Sequence, residues 1–180
     1  MGYYIHTTES DFRIKKEDFG KAFDRACELN RHDELKGGGT FGSDGGERWF
    51  SWVTPNYHET CSTFAEILTE FRLEPMYQDG DIVELNFESK IGDEDVLLAY
   101  IAPFVQDGSY IEWQGEEGER WRYVFRGGVM YTAHAKVTFP EETEFSKIDY
   151  RVVDSKVVPY VITFDPKTDA FVSRMREAKA

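Results

Sequence analysis

The chain has 180 residues, a net charge of −13 at pH 7 and an aromatic content of 16%. That length fits one domain, or one domain with an extension, and buries a core without metal or disulfide staples. No apolar run approaches the ~18 residues that a membrane-spanning helix needs. The N-terminus lacks the basic-then-apolar pattern of a signal peptide, and His6 stands where a myristoylation motif needs Ser or Thr.

Residues 3–14 read as a strand carrying Tyr3, Tyr4, Ile5, Phe12 and Ile14, with a turn or bulge in the polar stretch from Thr7 to Asp11. Phe19, Ala22, Phe23, Ala26 and Leu29 recur at helical spacing, so a first helix is expected over about 16–30, with Glu17 and Asp18 favoured at its positive end. Gly37, Gly39 and Gly42 spell G-x-G-x-x-G. A dinucleotide fingerprint needs a strand before it and a helix after it. Here a helix precedes and a strand-like Arg48–Val53 follows, so the stretch reads as a loop.

Thr63-x-x-Glu66 fits a capping box ahead of the stripe Phe64, Ile67, Leu68 and Phe71, which sets a second helix over about 62–72. Asp79-Gly80 reads as a turn, and Ile82 to Phe87 as a strand with Val83, Leu85 and Phe87 on its inner side. Asp93, Glu94 and Asp95 open a third helix, whose apolar face carries Val96, Leu97, Tyr100, Ile101 and Phe104 and which Pro103 kinks or ends. A meander follows at 109–113, 120–126 and 129–135, with Gly127-Gly128 as a two-residue hairpin turn. In its middle strand Trp121, Tyr123 and Phe125 alternate with Arg120, Arg122 and Arg126. Beyond Pro140, Glu141–Glu144 reads as a linker. A further hairpin is expected over Ile148–Val152 and Val158–Phe164, with its turn near 154–156 and Pro159 favouring an edge strand. Phe171–Lys179 reads as a short amphipathic helix.

These elements predict an α+β fold: a mixed or antiparallel sheet, about three helices packed mainly on one face, and a C-terminal β-hairpin extension. The expected domains are 1–139 (core) and 140–180 (hairpin plus short helix).

The charge is unevenly placed. From Asp79 to Glu119 there are twelve acids and a single base, Lys90. Such a surface repels nucleic-acid phosphates and attracts basic partners, unless it serves solubility alone. The candidate contact residues are Glu112, Glu116, Glu117, Glu119, Asp93, Glu94 and Asp95. A second candidate site joins Trp113 and Trp121 to Arg120 and Arg122, because Arg meets phosphates and Trp stacks on bases. The competing reading pairs these arginines with glutamates across the hairpin.

Catalytic and metal readings are weaker. His58-x-x-Cys61 has ligand-like spacing but no matching second pair, and helix capping accounts for Asp93–Asp95 without a cation. Glu112 and Glu116 resemble a glycosidase pair, yet Glu116 falls in a predicted turn. His6, His32, His58 and His134 lie in unlike sequence contexts. No catalytic residue, metal or cofactor is assigned. Cys27 and Cys61 are expected as free, buried thiols.

Taken together, Gly2-Tyr-Tyr-Ile5 with Phe12-Arg-Ile-Lys-Lys16, Trp49-Phe-Ser-Trp52, Ile91-Gly-Asp-Glu-Asp95, Ala102-Pro-Phe-Val105 and above all Asp107-Gly-Ser-Tyr-Ile-Glu-Trp-Gln-Gly-Glu-Glu-Gly-Glu-Arg-Trp-Arg-Tyr123 resemble a family of small uncharacterised proteins of bacteria, especially actinobacteria, and their phages. The resemblance spans roughly residues 1–131 and transfers no catalytic residue. It implies a phage or prophage accessory factor. The expected function is a non-enzymatic acidic protein that binds a basic protein surface, with inhibition of a host nucleic-acid-binding or defence protein as one form of that role. The alternatives are a small-molecule or nucleotide binder and an uncharacterised hydrolase. Direct nucleic-acid and membrane contacts are not expected, the expected location is cytoplasmic (the host cytoplasm for a phage protein), and the oligomeric state stays open.

Overall fold

In a computed structural model of the chain, residues 2–40 and 46–136 are described throughout; beyond them the description covers the strands Ser146–Val153, Lys156–Asp165 and Ala170–Met175, and residue 167. The chain divides into two units, Met1–Lys136 and Val137–Ala180.

In the first unit, alternation along β1 (Tyr4–Asp11) turns Ile5 into the core and leaves Tyr4 and His6 in solvent. The expected irregularity is a bulge between Thr7 and Glu9. A 3-10 turn at Lys16–Asp18 leads into α1 (Phe19–Leu29), whose buried stripe is Ala22, Ala26 and Leu29. β2 (Gly38–Gly39) and β3 (Arg48–Trp49) form a two-residue ladder. The strand expected over Arg48–Val53 stops at Trp49, because the chain turns at Trp52, which holds φ 67°. A single helical turn, α2 (Tyr57–Thr60), precedes α3 (Phe64–Glu70). The Thr63 cap forms, its hydroxyl accepting from the Glu66 N–H, while the Glu66 carboxylate reaches one residue past the N-cap of a capping box and accepts from the Ser62 N–H at 2.6 Å.

β4 (Glu74–Gln78) and β5 (Asp81–Asn86) make a hairpin around Asp79-Gly80. A register shift opposite Met76 and Tyr77 displaces Val83, so Ile82, rather than Val83, joins Leu85 and Phe87 in the core. After Phe87 the chain passes to the main sheet as β6 (Glu88–Lys90). Then come α4 (Glu94–Ile101), a 3-10 turn at Ala102–Phe104 that holds Pro103, and the meander β7 (Tyr110–Gly115), β8 (Arg120–Arg126) and β9 (Val129–His134). The β8–β9 turn needs left-handed backbone at both central residues, and Gly127 and Gly128 supply it with φ 58° and 74°.

The main sheet is five-stranded and antiparallel, ordered β6-β1-β7-β8-β9. Its inner face, with Ile5, Ile111, Trp113 and Phe125, shares one hydrophobic core with Ala22, Ala26, Leu29, Ile67, Leu68, Leu97, Leu98 and Ile101 of the helices. The helices therefore lie on one face, and the other carries His6, Glu9, Glu112, Arg120 and Arg122.

In the second unit β10 (Ser146–Val153), β11 (Lys156–Asp165) and β12 (Ala170–Met175) form an antiparallel sheet in that order. The expected hairpin is β10–β11. Residues 170–175 form a strand, not the expected helix, because β11 offers them a ladder from Tyr160 to Asp165. Pro159 is in the central strand rather than an edge strand, but it lies beyond Tyr160, the last residue paired with β12 among the described residues. The linker at 141–144, the turn residues 154–155 and residues 176–179 lie outside the described residues. No helix among the described residues is long and apolar enough to cross a membrane.

Candidate functional site

The β7–β8 register puts Glu112 opposite Arg122 and Gln114 opposite Arg120. Glu112 accepts hydrogen bonds from Arg120, from Arg122 at 2.7 Å and from the Thr8 hydroxyl at 3.0 Å. The Arg122 hydrogen bond is the main cause that holds the Glu112 carboxyl below the usual carboxylate range. Arg122 also stacks 4.3 Å from the centre of the Tyr110 ring. One carboxylate thus ties down both arginines of the alternative ligand site. A groove of about 330 Å³ does run past Arg120, Trp121, Arg122 and His134. Trp113 takes no part in it: it is fully buried and stacks on Trp121 at 6.3 Å and 10° on the core side. Alternation sends Trp113 and the neighbouring arginines to opposite faces, so of the two tryptophans only Trp121 borders the groove with Arg120 and Arg122.

The acidic belt separates into three environments. Glu116, Glu117 and Glu119 sit exposed at the tip of the β7–β8 hairpin, and none has an ion pair among the described residues. Glu112 is neutralised as described. At the start of α4, Asp93 accepts from the Gly37 N–H at 2.9 Å and the Ser51 N–H at 2.6 Å, which fastens two loops. Asp95 is exposed and accepts from the Val96 N–H.

Glu94 departs most from the surface role expected of it, being 3% exposed. The stripe that α4 buries is Glu94, Leu97, Leu98 and Ile101, and Glu94 occupies its first position. Its Oε2 accepts from the Gly92 N–H at 2.9 Å and from Arg72 Nη2 at 3.4 Å. Burial pushes the Glu94 carboxyl up to about 7 against the pull of Arg72, and burial likewise lowers Arg72. Desolvation outweighs the mutual attraction for both partners.

Beside the acidic tip lies an aromatic cluster that the sequence did not single out. Trp52 is 60% exposed, Tyr4 51% and Ile91 46%. Lys90 lies between the two rings, its Nζ 5.3 Å from the Trp52 centre and 5.8 Å from that of Tyr4. Trp52 Nε1 donates to the Ile91 carbonyl at 3.3 Å. The Glu116 N–H donates to the Tyr4 carbonyl at 3.0 Å, which joins this cluster directly to the acidic tip. The only hint in the sequence was the density of aromatics in Trp49–Trp52, and that also fits a core strand.

Other features are less coherent. A cleft of about 800 Å³ is lined by His6, Thr7, Arg72, Asn86 and Ser89, and another of about 740 Å³ by Arg25, Cys27, Asn30, Arg31 and His58. His32 bridges Glu34 and Tyr100, at 3.0 Å on each side, but Glu34 is open to solvent and the three groups line neither cleft. His58 pairs with Asn30, and His6 and His134 lie on separate strands. Cys27 and Cys61 are free but half-buried, not fully buried as expected. Among the described residues, no three His, Cys, Asp or Glu side chains gather as metal ligands do. Comparison with family models, curated proteins and solved structures finds no match in any of the three.

Proposed function

We propose that this chain is a non-enzymatic binding protein that docks onto a basic protein surface, as a phage or prophage accessory factor in a host cytoplasm. The observation that carries this reading is the contrast within one hairpin. Glu112 is matched by two arginines, whereas Glu116, Glu117 and Glu119 stand exposed with no cation among the described residues. Unmatched like charges at a hairpin tip repel one another, and a basic partner relieves that repulsion while steering association. Tyr4 and Trp52 supply the large rings on which interface energy concentrates. A host nucleic-acid-binding or defence protein presents the basic surface this reading needs. The test is affinity capture from host lysate with the native chain and an E116Q/E117Q/E119Q variant. A specific partner is expected with the native chain at low salt and is expected to be lost both with the variant and at high salt. Equal capture in all arms contradicts the reading.

A further inference from the structure

The two edges of the main sheet are unlike. β6, at one end, has three residues, and Glu88 and Lys90 charge two of them. Short, charged strands are how sheets protect an edge. β9, at the other end, runs six residues, Val129-Met-Tyr-Thr-Ala-His134, with no Lys, Arg, Asp, Glu or Pro. Among the described residues no strand lies on its outer side. Val129 and Tyr131 are 49% and 55% exposed.

The hydrogen-bond phase fixes which backbone groups are unpaired. Ala135 N–H donates to the Arg120 carbonyl at 2.9 Å. In an antiparallel ladder the bonded pairs alternate, so 129, 131, 133 and 135 face β8, and Met130, Thr132 and His134 point their N–H and C=O groups outward. Lys136 follows this stretch, and Arg126 sits opposite Val129 on β8 at its hairpin end, both exposed and neither in an ion pair among the described residues.

From these observations we infer that β9 is a strand-addition site for an extended segment of a partner protein, uncharged and β-forming in its middle and acidic at its ends. Main-chain bonds to Met130, Thr132 and His134 hold the segment, its apolar side chains lie against Val129 and Tyr131, and its acids meet Arg126 and Lys136. A second copy of this chain offers these bases no acid, because β9 carries neither Asp nor Glu. This site is independent of the acidic tip and stands or falls separately from it.

The test uses the full chain and two blocked-end synthetic peptides of alternating Val and Thr, one ended by Glu and one by Lys, followed by fluorescence anisotropy and amide exchange. The Glu-ended peptide is expected to bind and to slow exchange at Met130, Thr132 and His134. The Lys-ended peptide and a Thr132→Pro variant are expected to weaken binding by roughly tenfold or more, since Pro removes the central outward donor and leaves the β8 ladder intact. Tyr131→Lys, an edge-protecting charge, is expected to do the same and replaces Thr132→Pro should that variant fail to fold. Absence of binding, equal binding by both peptides, or unchanged binding by the folded variants overturns the proposal. So does slow exchange at these three amides in the free monomer, which shows the edge covered by the chain itself, or a dimer abolished by Thr132→Pro, which assigns the edge to a second copy.

Discussion

Arg72 reaches Glu94 at 3.4 Å from a backbone held at φ 63°, just past the end of α3. Gly is the residue that favours this left-handed position, and a side chain there costs on the order of 1 kcal/mol. Arg72 offsets the strain with donors to the Ser89 hydroxyl at 3.1 Å, the Lys90 carbonyl at 2.6 Å and Glu94. It thereby pins the 89–94 segment that carries Lys90 and Ile91. We expect Arg72→Ala to lose roughly 3 kcal/mol, because it leaves a buried carboxylate unpaired, and Glu94→Gln to lose less. Urea denaturation of both variants and of the double variant checks this, with a coupling energy expected between the two sites.

The same pair sets a pH dependence. Glu94 has an ordinary value of 4.5 and is raised to about 7 in the folded chain, chiefly by burial. Between those values the folded state holds a proton that the unfolded state lacks. Its contribution to stability is therefore greatest below the lower value and falls as pH rises through the window, by on the order of 3 kcal/mol at most. Relative to Glu94→Gln, the native chain should lose stability between about pH 5 and about pH 8. A difference that is flat or rises over this range counts against a buried, proton-holding Glu94.

The Glu112 bridges behave differently, because Arg120 and Arg122 are 48% and 39% exposed. Solvent screens such pairs, so Glu112→Gln is expected to cost no more than about 1 kcal/mol. Thermal melts at low and high salt should show that loss shrinking as salt rises.

Trp52 and Trp113 separate binding from stability. Trp113→Ala opens a cavity at a fully buried site, and we expect a loss of about 3–5 kcal/mol. Trp52 is largely exposed, so Trp52→Ala should change stability by well under that amount while weakening partner capture markedly. Parallel denaturation and capture measurements on the two variants test this.

The meander was legible because period-2 alternation and Gly127-Gly128 are both local signals, and the α3 cap was legible for the same reason. Trp52 was not. A dense aromatic run reads as a strand, and only the tertiary setting shows the chain turning there and leaving one ring in solvent. The single-turn α2 and the β4 strand, which contains Pro75, have patterns too short or too mixed to read. Residues 170–175 carry a pattern that suits either periodicity, and pairing with β11 decided it. Glu94 reads in the sequence as one more surface acid because its partner lies 22 residues earlier in the chain. Its place at the head of the Leu97, Leu98, Ile101 stripe was the available clue. Tyr4 and the acidic tip come together only through β1–β7 pairing, which joins residues about a hundred positions apart.

The most direct test of an acidic docking face is the salt dependence of binding to the captured partner, compared between the native chain and E116Q/E117Q/E119Q. A docking role for the tip predicts that the native complex weakens steeply with salt, and that the triple variant binds more weakly with a flatter salt dependence. Native affinity and an unchanged salt dependence in the folded triple variant would contradict it.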